Sequence, residues 1–277
     1  MIPQAEANMS PTDIRENREL ATEMKFLVSP ALAEQIRTWA RQHLSPDPHA
    51  GGLAGDGYEI TSLYFDTAQF DVFHRRGSFG RSKCRIRRYG KGQVAFLERK
   101  LKTRGLLTKR RSIVPLDELE FLAADDDNRA WPGRWFHRRL LARLLSPVCQ
   151  ISYQRTALVA MTSFGPIRLT MDSGLRALPT SCIQFSNELG APLLEDQIIL
   201  ELKFRYGLPT LFKYLLEEFA LTPVPFSKYR LAADALCLVD APSALGALAS
   251  LPARSWVRGE NSPARMPALP ASAMDSW

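Results

Sequence analysis

Residues 81 to 111, RSKCRIRRYGKGQVAFLERKLKTRGLLTKRR, constrain the fold more than any other stretch of the chain. They hold 13 of the 36 lysines and arginines and a single acid, Glu98, so the segment carries +12 while the remainder of the chain stands at −5. The cations recur at every second position: Lys83, Arg85 and Arg87, then Lys100 and Lys102 after Glu98, then Lys109 and Arg111. Period two is the signature of strand. Tyr89-Gly90-Lys91-Gly92 and Arg104-Gly105 supply turns between the runs, and Cys84, Ile86, Leu97 and Leu101 fall on the opposite face. Three neighbouring antiparallel strands would set a field of cations on one side and apolar groups on the other. Like charges facing each other across a ladder destabilise it, so a sheet built this way implies a polyanionic ligand, with phosphate the natural match for lysine and arginine. A solvated basic face is the ordinary meaning of a charge run, but it does not require strict alternation over three strands.

The 277 residues are 45% hydrophobic, enough for a substantial core. Because the formal charge of +7 is concentrated in one stretch, it points to a site rather than to general stickiness. Cys84, Cys149, Cys182 and Cys237 are widely spaced, without CxxC pairs or nearby histidine, and are expected as reduced thiols, not a zinc site or disulfide framework. The first residues contain no apolar run, and no stretch reaches 18 consecutive apolar residues. The expectation is a cytoplasmic protein with no transmembrane segment in this chain, compatible with a membrane partner.

Residues 1 to 19 are polar and are expected as a mobile arm; 241 to 277, rich in Pro, Ala and Ser, are expected as a disordered tail. Between them, strand patterns cover 20–29, 58–67, the three basic runs, 148–162, 166–172 with a hairpin extension over 175–178, and 198–206. Helical patterns cover 31–44 behind a Ser29-Pro30 cap, 70–75, 115–123, 134–145, 209–221 and a last segment to about 239. About eight strands carry charge at alternate positions, including Glu23 and Lys25, Arg155, Arg168 and Asp172, and Glu201 and Lys203. An open sheet would turn these charges to water; a closed antiparallel barrel would turn them into a lumen and leave an apolar wall for the helices. A desolvated ring of cations costs several kcal/mol per uncompensated ion, whereas a water-filled lumen that receives polyphosphate or nucleotide avoids that cost.

The segments YEITSLYFDT (58–67), KCRIRRY (83–89), FLERKLK (96–102), KRR (109–111), YQR (153–155), RLTMD (168–172), LELKF (200–204) and FSKY (226–229), in this order, resemble the VTC (vacuolar transporter chaperone) polyphosphate polymerase domain. That domain belongs to the triphosphate tunnel metalloenzyme, or CYTH-like, superfamily. The resemblance spans roughly 20 to 240. It implies an α+β fold, an eight-stranded antiparallel tunnel with helices packed outside, a Mn²⁺ or Mg²⁺ cofactor, and transfer of the γ-phosphoryl of ATP to a growing polyphosphate. By this resemblance Arg85, Arg87, Lys100, Arg168 and Lys203 are expected at the reacting phosphates. Lys25, Lys83, Lys102, Lys109, Arg111, Arg155 and Lys228 are expected along the phosphate chain, and Glu201, with Glu98 and Glu23, as metal ligands. Phosphoryl transfer needs charge neutralisation and in-line positioning more than covalent chemistry, which suits a ring of cations with one metal.

One departure stands out. Hydrolytic tunnel enzymes carry Glu-x-Glu-x-Lys on the first strand, and Ala21, Glu23 and Lys25 occupy those positions. A missing carboxylate favours transfer or binding over a hydrolytic two-metal site. Glu98, Asp172 and Glu23 also have a plainer role as salt-bridge partners, Asp66 as a turn or cap residue, and Tyr89 as packing; no chemistry is assigned to the four histidines. The expected partners are ATP and inorganic polyphosphate. Nucleic acid is not expected, because the basic runs lack the regularly interleaved aromatics of single-strand platforms. Triphosphate hydrolysis on the same fold and catalytically silent polyphosphate binding are the alternatives.

Overall fold

The computed structural model describes residues 14–16, 21–48, 50, 55–103, 106–124 and 129–239. The elements in chain order are β1 (Ile14–Glu16), β2 (Ala21–Val28), α1 (Pro30–His43), β3 (Ser45–Pro46), β4 (Gly57–Asp66), α2 (Asp71–His74), β5 (Ser82–Tyr89), β6 (Val94–Thr103) and β7 (Leu106–Pro115). They continue with α3 (Arg134–Ala142), β8 (Ser146–Thr162), β9 (Gly165–Pro179), β10 (Ala191–Pro192), β11 (Ile198–Arg205), α4 (Thr210–Glu218) and α5 (Lys228–Ala235). Two patterns resolve differently from expectation. The helical pattern after Pro115 becomes a 3-10 helix, Asp117–Leu122, and 175–178 continues β9 without a hairpin.

All strands join one antiparallel sheet in the order β1-β7-β6-β5-β4-β8-β9-β11-β2, with β3 on β8 and β10 on β9. Eight of them are long, matching the expected strand count. The expected closed barrel is corrected in one respect: among the described residues no hydrogen-bonded ladder joins the two ends of the sheet. The reason is local. The edge of β7 at Lys109–Arg111 is taken by β1, a strand inside the segment expected as a mobile arm, so β2 approaches β7 without pairing to it. The sheet is nevertheless strongly curved. Lys100 on β6 reaches Glu23 on β2 at 2.7 Å, although five strands stand between them in the sheet order. The remaining arm residues and the tail beyond 239 lie outside the described residues.

Alternation divides each strand between a concave and a convex face. On β2 and β11, Phe26, Val28, Leu200, Leu202 and Phe204 turn outward and are buried under Ala33, Ile36 and Ala40 of α1 and Phe212 and Leu215 of α4. Each such side chain contributes on the order of 1.5–3 kcal/mol by leaving water. Ser29 accepts a hydrogen bond from the Leu32 amide, and Pro30 begins α1 as the cap pattern predicts. A second core lies under α3, where Phe136 and Leu140 meet Cys84, Leu97 and Phe65.

The segment leading into α5 ties the strands together. Asp66, expected as a cap residue, accepts hydrogen bonds from the amides of Thr67, Val72 and Phe73 and from the Tyr229 hydroxyl at 2.5 Å. Burial pushes the Asp66 carboxyl above its ordinary pKa, against the pull of those four donors. Tyr229 is buried and its ring stacks on that of Tyr64, 5.7 Å between centroids. Tyr229→Phe is expected to destabilise the fold by about 1.5–3 kcal/mol, the scale of a hydrogen bond to a charged group. A denaturant midpoint unchanged from the wild type would show that Asp66 is held by its backbone donors alone.

Candidate functional site

The concave face gathers the charged positions of β2, β5, β6, β7, β8, β9 and β11 into two carboxylate-centred clusters and a set of further cations, with β4 contributing hydroxyls. In the first cluster Glu98, 1% exposed, accepts from Arg85 Nε at 2.7 Å, from Lys109 Nζ at 2.9 Å and from both Nε and Nη2 of Arg111. Burial alone would raise its carboxyl; Arg85, Arg87, Lys109 and Arg111 outweigh that and hold it well below the usual range. Glu98 is thus saturated by cations.

The second cluster runs across β2, β8, β9, β11 and the start of α5. Arg155 makes a bidentate pair with Asp172, 2.6 and 2.7 Å, and Lys228 Nζ lies 2.6 Å from Asp172 and 3.2 Å from Glu201. Lys25 completes it, 3.4 Å from Glu201. Asp172 is fully buried and Lys228 nearly so. Burial opposes ionisation of Glu201, but Lys228, Lys25, Arg155 and Lys100 keep its carboxyl well below the ordinary value. Glu23 adjoins this cluster: burial raises its carboxyl and so does Glu201, yet Lys100 brings it below normal.

Of the other cations, Arg87 and Lys83 have no carboxylate partner among the described residues, whereas Arg168 has one. Arg87, 5% exposed, hydrogen-bonds to the hydroxyls of Ser62 and Tyr153 at 3.2 and 3.1 Å. Lys83 donates to Ser227 Oγ at 2.8 Å. Lys102 and Lys203 are exposed at the ends of their strands. Arg168 pairs with Asp47 and donates to the Tyr58 hydroxyl, both at 2.7 Å. The expected cations therefore share one concave surface, with Lys102 and Lys203 at its margins.

The three expected metal ligands do not converge. Among the described residues there is no group of three or more His, Cys, Asp or Glu placed to hold a metal. Glu201 and Glu23 are diagonal neighbours on one face of the paired strands β11 and β2, so these two fit a shared cation. Glu98 fits less well, because Arg85, Lys109 and Arg111 already take both of its oxygens.

Several participants were not assigned from sequence. Tyr58, Ser62 and Tyr64 occupy alternate positions of β4 and meet Arg168, Arg87 and Arg85; their spacing was the available signal. Asp47 sits in a Gly- and Pro-rich loop where no periodicity marks it. Tyr89, expected as packing, packs edge-on against Tyr58 and Phe96 and also accepts a hydrogen bond from Arg111. Burial alone would raise its hydroxyl, but Arg87 and Arg111 bring it down to about 8.

Lys83 is the most pH-sensitive cation here. Burial, then the neighbouring charges of Lys25, Lys100, Arg75 and Arg230, push it down to about 7 from 10.5. Between these values the folded chain holds fewer protons than the unfolded one, so the free fold gains stability as pH rises from about 7. A bound polyanion favours the charged amine, so binding takes up a proton above pH 7. Calorimetric titration with tripolyphosphate is expected to show affinity falling with pH more steeply in the wild type than in Lys83→Gln, by up to about tenfold per pH unit. Parallel slopes would remove Lys83 from contact with the anion.

A family model described as VTC domain matches residues 20–237. No curated protein matches the chain. Among solved structures, a candidate adenylate cyclase from Bacillus halodurans is 17% identical, with 76% of this chain and 95% of that chain covered at a TM-score of 0.48. A candidate adenylyl cyclase from Hippeastrum with a dominant triphosphatase activity is 15% identical, covering 77% and 95% at 0.45. A protein from Pyrococcus horikoshii is 12% identical, covering 78% and 99% at 0.43. No helix among the described residues is long and apolar enough to cross a membrane.

Proposed function

The chain belongs to the VTC domain family, and from that membership we propose that it is a metal-dependent polyphosphate polymerase that moves the γ-phosphoryl of ATP onto a polyphosphate chain. The observation that carries this reading is the coexistence, on one concave face, of cations without carboxylate partners and of ionised carboxylates ringed by lysine. Among the described residues Arg87 and Lys83 bond only to hydroxyls, so phosphate oxygens can replace those weak partners without breaking an ion pair. Arg85, Lys109 and Arg111 stay oriented by Glu98 and present their remaining donors to the lumen. Arg155 is different: both its Nε and Nη2 are engaged by Asp172, so it orients Asp172 and Lys228 more than it binds phosphate.

Glu201 and Glu23 are the residues that would hold Mn²⁺ or Mg²⁺. Such an ion, when bound, neutralises triphosphate oxygens and polarises the phosphoryl group. Lys100 and Lys228 hold the two carboxylates in place and supply charge for the developing ADP leaving group. Ala21, in place of a further carboxylate, supports transfer over hydrolysis.

The test is incubation of the purified protein with ATP and Mn²⁺ while ADP and long polyphosphate are followed together. The two should rise in proportion. Free phosphate rising in place of polyphosphate would make the chain a hydrolase, and tight polyphosphate binding without ADP release would make it a binding module.

A further inference from the structure

The convex face carries a second group of uncompensated cations that the lumen chemistry does not use. Arg99 on β6 is the register partner of Cys84 on β5, and strand alternation puts both on the opposite face from Lys83 and Lys100. Over them lies α3, whose sequence from Arg134 to Leu145 contains four arginines and no acid. Phe136 and Leu140 bury its apolar side against Cys84 and Leu97. Arg139 and Arg143 flank that contact. Arg99 Nε donates to Ser82 Oγ at 3.3 Å, while Arg143 donates to Ser78 Oγ and lies over the Phe79 ring, 4.0 Å from its centroid.

The three guanidinium groups are close enough to act on one another. Burial lowers the pKa of Arg139, and Arg99 and Arg143 lower it further, while the buried Cys84 thiol feels all three charges. Among the described residues no ion pair engages Arg99, Arg139 or Arg143. The Nε groups of Arg139 and Arg143 are buried without a hydrogen-bond partner. Serine hydroxyls and an aromatic face fix the positions of these side chains but neutralise nothing. Three like charges held together repel one another, and an anion that bridges them relieves that repulsion.

We propose that Arg99, Arg139 and Arg143 form a second anion site, on the outside of the sheet, that takes phosphoryl oxygens of a multivalent phosphate. Arginine forks match such oxygens with paired donors. The position favours a long anion over a single phosphate. Arg75, which acts on Lys83 in the lumen, precedes the turn Gly77–Arg81, and Ser78 and Phe79 within that turn are the contacts of Arg143. One turn thus joins the Arg75 side of the lumen to the outer site. Leu141 and Leu144, 52% and 79% exposed beside the arginines, make lipid phosphates the other source of the same chemistry.

Phenylglyoxal labelling of the full wild-type chain, read residue by residue, tests the site without a variant. Arg139 and Arg143 are expected to be protected by soluble polyphosphate, or by vesicles of phosphatidylglycerol but not of phosphatidylcholine; which one protects identifies the source. Arg139→Gln/Arg143→Gln, with Arg99→Gln as the milder second variant, is expected to weaken binding of the protecting anion at the outer site, read as protection of the arginines that remain there, at least about tenfold, the scale of one charge-assisted hydrogen bond. ATP turnover should be unchanged. Labelling indifferent to both anions, with variants that bind as the wild type does, would overturn the proposal. Absence of ATP turnover in the wild type would sink the polymerase reading while leaving this labelling result intact.

Discussion

Glu201→Gln is expected to abolish metal-dependent turnover, with a loss of at least ~100-fold, while polyphosphate binding without metal is retained or tightened. The substitution keeps the shape of a side chain that stands 3.4 Å from Lys25 and 3.2 Å from Lys228 and removes only its charge. A loss of 100-fold is the scale of one strong electrostatic contact made in the transition state. Binding survives because Lys25 is released from its carboxylate and becomes free for phosphate, while Lys228 keeps Asp172 at 2.6 Å. The pH behaviour follows from the same contacts. Lys228, Lys25, Arg155 and Lys100 hold the Glu201 carboxyl well below its ordinary pKa despite burial. It remains charged throughout the neutral range, so its contribution to stability is lost only as pH falls through that depressed value. Steady-state ADP release against Mn²⁺ concentration checks the first claim, and tripolyphosphate calorimetry in chelator checks the second. Turnover intact in Glu201→Gln but abolished in Arg85→Ala would reduce Glu201 to a structural counter-ion.

Glu98→Gln is expected to act in the opposite way, unfolding the protein readily when empty and being rescued by polyanion. Glu98 is the common acceptor of Arg85, Lys109 and Arg111, and it is almost completely buried. Removing one member of a buried ion cluster leaves the others uncompensated, which costs about 3–5 kcal/mol. That is a large share of the stability of an ordinary domain. Tripolyphosphate replaces the missing negative charge, so saturating ligand should raise the melting temperature of the variant more than that of the wild type. Mn²⁺ without phosphate should rescue neither protein. A variant stabilised by Mn²⁺ alone would return Glu98 to the metal ligands, against the geometry described above.

Periodicity made most of the fold legible. The alternation of 83–87, 98–102 and 109–111 placed cations on one face of β5, β6 and β7, and the register pairs Arg85 with Glu98 and Glu98 with Arg111. The helical stripes of α1 and α4 likewise led to their buried contacts. Arg99 shows where such reasoning stops. It lies one residue out of phase with Lys100 in an equally basic run, and only the packing of α3 over that face makes it part of a separate cluster.

The carboxylates divide in the same way. Sequence alone determined that Glu23, Glu98 and Glu201 lie on the cationic face, because side-chain parity is a property of the strand itself. It could not determine their partners. Those depend on how far the sheet curves and on where the FSKY segment returns to it, so contacts such as Lys100–Glu23 and Lys228–Asp172 join residues 77 and 56 positions apart. Tertiary structure therefore decided that Glu98 is a counter-ion while Glu201 and Glu23 share one neighbourhood. It also decided that the sheet ends in a short β1–β7 ladder without hydrogen-bonded closure, since at Lys109–Arg111 the edge that β1 occupies has no place left for a second strand.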